Sequence, residues 1–487
     1  MALDEELFFA RRLGYGLKQG ETIGGSVRDW AIKQISEVPP LDFYGPDGQS
    51  IRSTLPAYAE PVADYAEATR LVGIYFNKEH ELEKLAGTMP DAQLNEKIYH
   101  EVDLPQKWYP EWRDALLRSL TIVNGPSPVF ERFWLFWVNH FSVKSEQMTA
   151  LWYGPHTRLI RSHMTGKFSE MLRDAILQPA MVYYLDNFVS IGPHSISRRA
   201  GTAGTVNENL ARELLELHTM SPAGGYTQQD VVQLSYALSG WQFFAAKFDD
   251  GGILKTPPPF GSFFFFDKHE PGNRSVLGKT YDGANKGKDQ APQIITDLAV
   301  NPATAEFISR KLLRHFLTDD PPVDSVARVR DAWIQSGGDL PTIHAAVIDE
   351  VLTKGHEYEK FSTPEIWFHQ LHRTASLPVP TFLPKNSGVY WINLLFDELG
   401  QGYGSALQPN GYSDLKADWI SKELLERRAR YANLAARRIN EEALAYLGDF
   451  GVRLAGPDSD LVAAMKQADN PAMAATVLLA SPQFMRI

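Results

Sequence analysis

The stretch "TAEFISRKLLRHFL" (304–317) repeats its apolar residues at the spacing of an amphipathic helix. Ile308 and Leu312 are four residues apart, so they lie next to each other on one side of such a helix. The segments 68–87 and 112–123 show the same period, which recurs along most of the chain. The sequence therefore predicts a mainly α-helical protein with a large, multi-helix globular core.

Segments rich in proline and glycine separate the predicted helices, as in "EVPPLDFYGPDG" (37–48) and "TDDPPVD" (318–324). Residues 241–290 depart from the helical pattern, with an Asp-Asp-Gly-Gly turn, three consecutive prolines and four consecutive phenylalanines. We expect an irregular, aromatic-rich excursion that contains a short β-hairpin and folds over the polar helix face described below.

No segment is long and polar enough to serve as a clear interdomain linker. We therefore predict a single large helical domain over residues 1–487. Weak boundaries within it separate an N-terminal helical lobe (1–125), a central core that carries the excursion (126–318) and a C-terminal helical lobe (319–487).

The composition excludes several classes of protein. The 487 residues carry a formal net charge of −11, and hydrophobic and charged fractions of 44% and 22% predict a folded chain. No run of Lys or Arg could follow a phosphate backbone, so we expect no nucleic-acid partner. The absence of cysteine excludes disulfides, thiolate nucleophiles and iron–sulfur clusters.

No apolar run approaches the roughly 20 residues that span a bilayer, so we expect a soluble chain without a transmembrane segment. The start, "MALDEELFFARRLGYG" (1–16), lacks the basic-then-apolar order of a signal peptide. A trimmed exported protein would lack that order as well. The compartment, periplasmic or cytoplasmic, therefore stays open.

The stretch "NENLARELLELHTM" (207–220) carries polar residues along one side of a predicted helix. At about 100° per residue, an arc of roughly 140° contains Glu208, Asn209, Arg212, Glu213, Glu216 and Thr219. One interpretation is a solvated surface, on which pairs at i, i+4 contribute about 0.2–0.5 kcal/mol each. The other is a cleft wall, where Glu208 or Glu213 is the acid or base and Arg212 and Asn209 bind substrate.

Two histidines are candidates for proton transfer. His140 lies where the aromatic stretch "FERFWLFWVNHFSV" (130–143) ends as a helix, and buried polar groups often open into sites at helix ends. His269 lies in a predicted loop beside Arg274, where a histidine has less structural reason to exist than in a core. The alternatives are a satisfied core histidine and a loop histidine in water. His218 lies among leucines, and we expect it in the core with one ring nitrogen hydrogen-bonded.

The chain lacks the Gly-x-Ser-x-Gly elbow, the phosphate loop and the His-Glu-x-x-His motif. Carboxylates, His, Arg and eleven tryptophans remain, which suit acid–base chemistry on a polar substrate or carbohydrate binding. Trp241, at the start of the excursion, is a further candidate for substrate contact. No cofactor is predicted. A divalent metal held by Glu213, Glu216 and His269 is a weaker hypothesis.

Seven motifs follow one another along nearly the whole chain. They are "FFARRLGYG" (8–16), "FWVNHFSV" (136–143), "NENLARELLELHTM" (207–220), "YTQQDVVQLSYALSGWQF" (226–243), "HEPGNRSVLG" (269–278), "FISRKLLRHFL" (307–317) and "LLASPQFMRI" (478–487). Together they resemble the bacterial family called domain of unknown function 1800. Because the most recognisable motif of the family is a polar helix face, the resemblance favours the interpretation of that face as a cleft wall.

The chain departs from the family pattern at two places. The family favours His-Asp-x-Gly-x-Lys where this chain has His269 to Arg274, and Gly-Trp where it has Gly411-Tyr412. An arginine cannot form the covalent adduct that a lysine can, so the change argues against Schiff-base chemistry at Arg274 and is compatible with phosphate or carboxylate contact. Many relatives resemble exported proteins and accompany a sulfatase-like family, which implies an envelope setting and a sulfatase-like partner.

Two hypotheses for function follow. The first is an enzyme, a hydrolase or lyase on a glycan-like or anionic substrate, with Arg212 and Arg274 holding negative charge and His140 or His269 moving protons. The second is a non-catalytic export or assembly partner, or a polysaccharide-binding protein. A single concave pocket that contains the candidate residues would favour the enzyme; scattered positions on convex surface would favour the binding protein.

Overall fold

The computed structural model describes residues 4–55, 60–101, 109–145, 149–244, 261–380 and 392–487. These residues form 23 α-helices and two small antiparallel sheets, which confirms the predicted mainly α-helical class. Short 3-10 turns occur at Arg52–Thr54, Asn187–Val189, Asn285–Gly287, Gly355–Glu357 and Lys416–Asp418.

The helices alternate with short turns along the chain. They are α1 (Glu5–Leu13), α2 (Val27–Ile35), α3 (Tyr65–Glu83), α4 (Asp91–Ile98), α5 (Tyr109–Asn124), α6 (Pro128–His140), α7 (Thr149–Ser162), α8 (Phe168–Leu177), α9 (Pro179–Tyr184), α10 (Ile196–Arg199), α11 (Asn209–Glu216), α12 (Gln228–Leu238), α13 (Gln290–Ala299), α14 (Pro302–Phe316), α15 (Val323–Ser336), α16 (Leu340–Lys354), α17 (Pro364–Thr374), α18 (Ile392–Glu398), α19 (Lys422–Ala436), α20 (Glu441–Ala455), α21 (Asp460–Lys466), α22 (Pro471–Leu479) and α23 (Pro482–Met485).

Both sheets lie in the predicted excursion. Strand β1 (Trp241–Phe244) pairs with β2 (Gly261–Phe264), and β3 (Arg274–Val276) pairs with β4 (Lys279–Tyr281). The β3–β4 pair is a tight hairpin, as predicted, and its turn residues Leu277 and Gly278 both have positive φ. The expected Asp-Asp-Gly-Gly turn falls within residues 245–260, outside the described residues.

The first sheet contacts a different part of the molecule from the one we expected. Strands β1 and β2 pack on α9 and on each other, β1 also contacts the 3-10 turn at Asn187–Val189, and β2 contacts α3. Strand β3 packs on α12. The expectation that the excursion covers the polar face of α11 is therefore wrong for these strands.

Helix α6 lies at the centre of the core. All of its residues except Asn139 are buried, as its aromatic sequence on nearly every side predicts. Apolar residues from α1 through α23 join one contiguous hydrophobic cluster, so the three predicted lobes share a core. The lobe boundaries themselves stay a prediction. In the described parts of the chain, no helix combines the length and apolarity needed to cross a bilayer.

Candidate functional site

A cavity of about 610 Å³ lies between the end of α6, the middle of α14 and the segment 407–419. Four aromatic side chains line it: Phe136, Phe307, Tyr412 and Trp419. Its polar lining includes His140, Glu216, Lys311, Arg314, Asp414 and Asp418. Aromatic walls with a few convergent polar groups are typical of a small-molecule site of this size.

Asn139 and Gly411 hold the segment 407–419 against α6. The Asn139 side chain donates to the Tyr412 carbonyl at 2.8 Å and accepts from the Tyr412 N–H at 2.7 Å. Gly411 has φ of +74°, and a Cβ there would lie 2.2 Å from the Asn139 carbonyl oxygen. Only glycine fits this approach, which places the Tyr412 ring in the cavity wall.

His140 is the last residue of α6, because Phe141 leaves the helical conformation. Its Nε2 lies 3.2 Å from the His218 carbonyl, and His218 Nδ1 lies 3.0 Å from the His140 carbonyl. Since a carbonyl can only accept, each of these nitrogens carries the proton. His218 is thus in the core with one bonded ring nitrogen, as predicted, and His140 presents an unprotonated Nδ1 to the cavity.

Lys311 Nζ lies 3.0 Å from that Nδ1 and donates to it. Burial lowers the pKa of His140 well below its ordinary value, and nearby Lys311 adds to the effect, so the imidazole is neutral. Burial also lowers the pKa of Lys311, to about 8, despite the opposing charge of Asp414. The pair therefore consists of a neutral acceptor and an amine that exchanges its proton close to neutral pH.

Within the part of the chain that the structure describes, Lys311 hydrogen-bonds to His140 and forms no ion pair with a carboxylate. Its neighbours are the His140 ring and the Phe307 ring, whose centroid is 5.6 Å from Nζ. A lysine in a cavity usually forms an ion pair, as Lys360 does with Asp319 at 2.7 Å. Lys311 is thus left free to act on a ligand.

Asp414 forms the fixed negative charge of the cavity. His315 Nδ1 donates to its Oδ1 at 2.7 Å, and Arg132 Nε donates to His315 Nε2 at 2.9 Å. Burial raises the pKa of Asp414, but His315, Lys360 and Arg132 outweigh burial and hold that pKa below its ordinary value. Asp414 thus remains a carboxylate and offers no proton to a substrate.

The polar face of α11 mostly lies outside this cavity. Arg212 bonds Glu208 at 3.1 Å, Glu216 at 3.4 Å and Gln228 at 2.9 Å, and the Arg212 and Glu208 side chains are 37% and 38% exposed. Asn209 is exposed. Of this face, Glu216 alone lines the described cavity, while Thr219 lies beyond the helix end and is buried.

Glu213 is half-buried beside Glu216. Burial raises the pKa of Glu213, and the neighbouring Glu216 charge raises it further, while Arg212 opposes both. The residue does not line the 610 Å³ cavity. The role of Glu213 as an acid or base therefore stays a prediction, and this residue lies outside the cavity described above.

His269 lies in a second cavity of about 300 Å³, lined also by His194, Phe266 and Lys286. Its Nδ1 lies 2.8 Å from the Ser239 carbonyl and its Nε2 3.1 Å from Gln290 Oε1, and the residue is buried. Burial lowers the pKa of His269, although both hydrogen bonds oppose this effect. The two candidate histidines therefore occupy separate cavities.

Two other predicted binding residues lie near His269. Arg274 Nη2 donates to the carbonyls of Glu270 at 3.0 Å, Gly272 at 3.1 Å and Pro271. These bonds hold the loop together through one nitrogen of the guanidinium, and the Arg274 side chain is buried. Trp241 packs its ring 5.6 Å from that of Phe264, within the sheet β1–β2.

The hypothetical metal ligands are divided. Glu216 lines the larger cavity and His269 the smaller one. Across the described ranges, no group of three or more His, Asp or Glu side chains is placed to hold a metal ion. Metal dependence stays a prediction for elemental analysis.

Sequence reasoning missed Lys311 and Asp414, which line the larger cavity, and His315, which hydrogen-bonds to Asp414 beside it. A signal for two of them was present. At about 100° per residue from Ile308, His315 lies roughly 20° away and Lys311 roughly 60° away, both on or beside the apolar face of α14. Titratable groups on an apolar helix face are rarely buried without a partner or a function. Nothing in the sequence near Asp414 connects it with α14.

The comparisons with known proteins agree with the motifs. The model of the family described as "Protein of unknown function (DUF1800)" matches residues 9–486, nearly the whole chain. No curated protein and no solved structure matches it. The chain belongs to the DUF1800 family, as the resemblance of its motifs predicted.

Proposed function

We propose that the 610 Å³ cavity is the active site of an acid–base enzyme, a hydrolase or lyase, that acts on a glycan-like substrate. The observation that carries the proposal is the His140–Lys311 pair, 3.0 Å apart, at the wall of an aromatic-lined cavity. The neutral His140 imidazole can accept a proton at Nδ1, and Lys311, with a pKa of about 8, can donate one near neutral pH.

The walls suit a sugar. The rings of Tyr412 and Trp419 lie 6.2 Å apart at an angle of 52°, and Phe136 and Phe307 face the same space. Rings in this arrangement present apolar faces to the C–H groups of a pyranose, while hydroxyl groups can reach the polar side chains between them. An open site of this kind accepts one or two sugar units.

The proton would move through His140. Because His140 Nε2–H donates to the His218 carbonyl, His140 Nδ1 is the unprotonated ring nitrogen and carries the lone pair that can accept a proton. A substrate hydroxyl or C–H that replaces Lys311 at this position gives its proton to Nδ1, and Lys311 can return one to the leaving group. Asp414 stabilises the ammonium form of Lys311 electrostatically and remains ionised itself.

An acidic sugar would be held by the two cations of the cavity, Lys311 and Arg314. Arg314 uses its Nε for the Asp319 carbonyl at 3.0 Å, which fixes the guanidinium at the rim. Its other nitrogens are oriented for a carboxylate or sulfate group. This supports an anionic glycan as substrate.

The test is turnover on defined polysaccharides: cello- and chito-oligosaccharides, polygalacturonate and chondroitin sulfate. We expect new reducing ends from at least one of them, and loss of that signal in His140→Gln by at least about 100-fold, typical of a general acid–base residue. Arg314→Gln should raise KM for acidic substrates. Arg310→Gln, one turn earlier on α14 and paired with Glu306 at 3.0 Å, is the matched control. Full turnover by His140→Gln would contradict the proposal.

One observation favours the second hypothesis, a polysaccharide-binding or assembly protein. Leu407, Leu415 and Ile420, at or next to the rim of the cavity, are exposed apolar residues. Such a rim fits a long ligand or a partner surface as well as a substrate. Binding of a polysaccharide without turnover, lost in Trp419→Ala, would select this function.

A further inference from the structure

We infer that Lys311 is a nucleophile, which forms an imine with an aldehyde or ketone group of the substrate in the 610 Å³ cavity. The inference rests on the proposed function, because it assigns a covalent step to the same site. It also names the substrate class: a sugar that exposes its open-chain carbonyl, or another small polar carbonyl compound.

The surroundings of Nζ carry the inference. Among the described residues Lys311 makes one side-chain hydrogen bond, to His140 Nδ1 at 3.0 Å, and its amine faces the cavity. Lys360 provides the contrast within the same cluster. Its Nζ is bound by the Asp319 carboxylate at 2.7 Å and by the Asp414 carbonyl, and its side chain is only 2% exposed. One lysine is locked in an ion pair; the other is presented to a ligand.

The step balances with the residues present. The Lys311 ammonium gives one proton to His140 Nδ1, and the neutral amine attacks the carbonyl carbon. A C–N bond forms as the C=O π bond breaks, and the carbonyl oxygen takes the proton from His140. His140 Nδ1 removes a proton from the nitrogen of this adduct and delivers it to the hydroxyl group, which leaves as water. The ammonium form of Lys311 and the carbonyl thus give a protonated imine and one water, without oxidant or reductant.

The charge of the cavity favours the cationic product. The titratable and charged groups that share the cavity with Lys311 are His140, Glu216, Arg314, Tyr412, Asp414 and Asp418. Three carboxylates therefore share the cavity with two cations, which favours a positive charge at Lys311. The protonated imine carries the same charge as the ammonium that it replaces. Phe307, 5.6 Å from Nζ, offers a ring face to the same cation.

The lowered pKa supports this chemistry. With a pKa of about 8, roughly a quarter of the Lys311 amine is neutral at pH 7.5, against about one part in a thousand for an ordinary lysine. Imine formation needs the neutral amine.

The experiment is reductive trapping on the full chain. The protein is incubated with D-glyceraldehyde and sodium cyanoborohydride between pH 6 and 9.5, and the modification rate of each lysine is read by peptide mass mapping. We expect Lys311 to react at least tenfold faster than Lys360 or the exposed Lys422 at pH 7.5, with half-maximal rate near about pH 8. His140→Gln should slow trapping at Lys311 without changing the rate at Lys422.

A rate at Lys311 no higher than that of Lys422 would overturn the inference. Lys311→Arg keeps a cation and a donor to His140 but cannot form an imine, so retained turnover of a polysaccharide in this variant would overturn it as well. A slow trapping rate leaves the acid–base proposal standing, and that proposal fails separately if His140→Gln retains turnover. Retained turnover in Lys311→Arg would also remove Lys311 as the proton donor of that proposal, with His140 left as its base. Trapping at Lys311 in a protein that does not turn over any of the polysaccharides would support Lys311 as a nucleophile and contradict the proposed cleavage of a glycan.

Discussion

Helices α11 and α14 carry charged residues in similar sequence patterns but place them in different environments. Arg212 on α11 has three hydrogen-bond acceptors around it and more than a third of its side chain in water. Lys311 on α14 has a histidine and a phenylalanine ring as neighbours and faces a cavity. A row of alternating charges, as on α11, therefore mainly forms a solvent-exposed helix surface. A charged residue beside the apolar face of a helix, as Lys311 on α14, indicates a functional site.

The largest effect should come from Asp414. Asp414→Ala removes the buried carboxylate that accepts from His315 and whose charge is balanced by nearby Arg132 and Lys360, so we expect the free energy of unfolding to fall by about 3–5 kcal/mol. Urea denaturation at pH 7 measures it. A loss below about 1 kcal/mol would show that the charged groups around Asp414 stabilise the fold no more than the exposed charge pairs of α11 do.

Gly411→Ala tests the clamp between α6 and the segment 407–419. A Cβ would meet the Asn139 carbonyl at 2.2 Å, so this variant should lose about 1–3 kcal/mol more than a glycine replaced at positive φ without a clash. Gly337→Ala is that control, with φ of +62° and no atom within 4 Å of its added Cβ. Equal losses in thermal denaturation would mean that the segment is not held through Asn139.

Acid should destabilise the cavity region. Burial lowers the pKa of His218 to about 3, so the unfolded chain takes up its proton first, near pH 6.5, and stability falls as pH decreases below that value. At pH 5 this histidine alone costs roughly 2 kcal/mol relative to pH 7.5. Urea denaturation across this range measures the slope, which should be smaller in His218→Gln. A wild-type unfolding free energy that stays constant from pH 7.5 to 5 would contradict the expectation.

The smallest effect should come from α11. Arg212→Gln removes two i, i+4 pairs that are worth about 0.2–0.5 kcal/mol each, so we expect a loss under about 1 kcal/mol and unchanged ligand binding. Denaturation in low and high salt measures this loss. A large loss of turnover in this variant would return the site to the polar face of α11.

The fold was predictable because it depends on local patterns. Helical periodicity and the aromatic surroundings of α6 both act within a few residues, and the structure contains both of them. The site depends on long-range proximity. His140, Lys311 and Asp414 are separated by about a hundred residues or more, and only packing brings them to one cavity. His140 could be proposed from its helix end, whereas Asp414 had no local signal.

Hydrogen–deuterium exchange of the full chain tests the location of the site most directly. Exchange is compared with and without each of the cello-, chito- and galacturonate hexasaccharides at saturating concentration. We expect ligand-dependent protection of the segment 407–419 and of the α14 residues around Lys311, with no change in residues 207–213 or 266–287. Protection confined to either of the latter segments would contradict it.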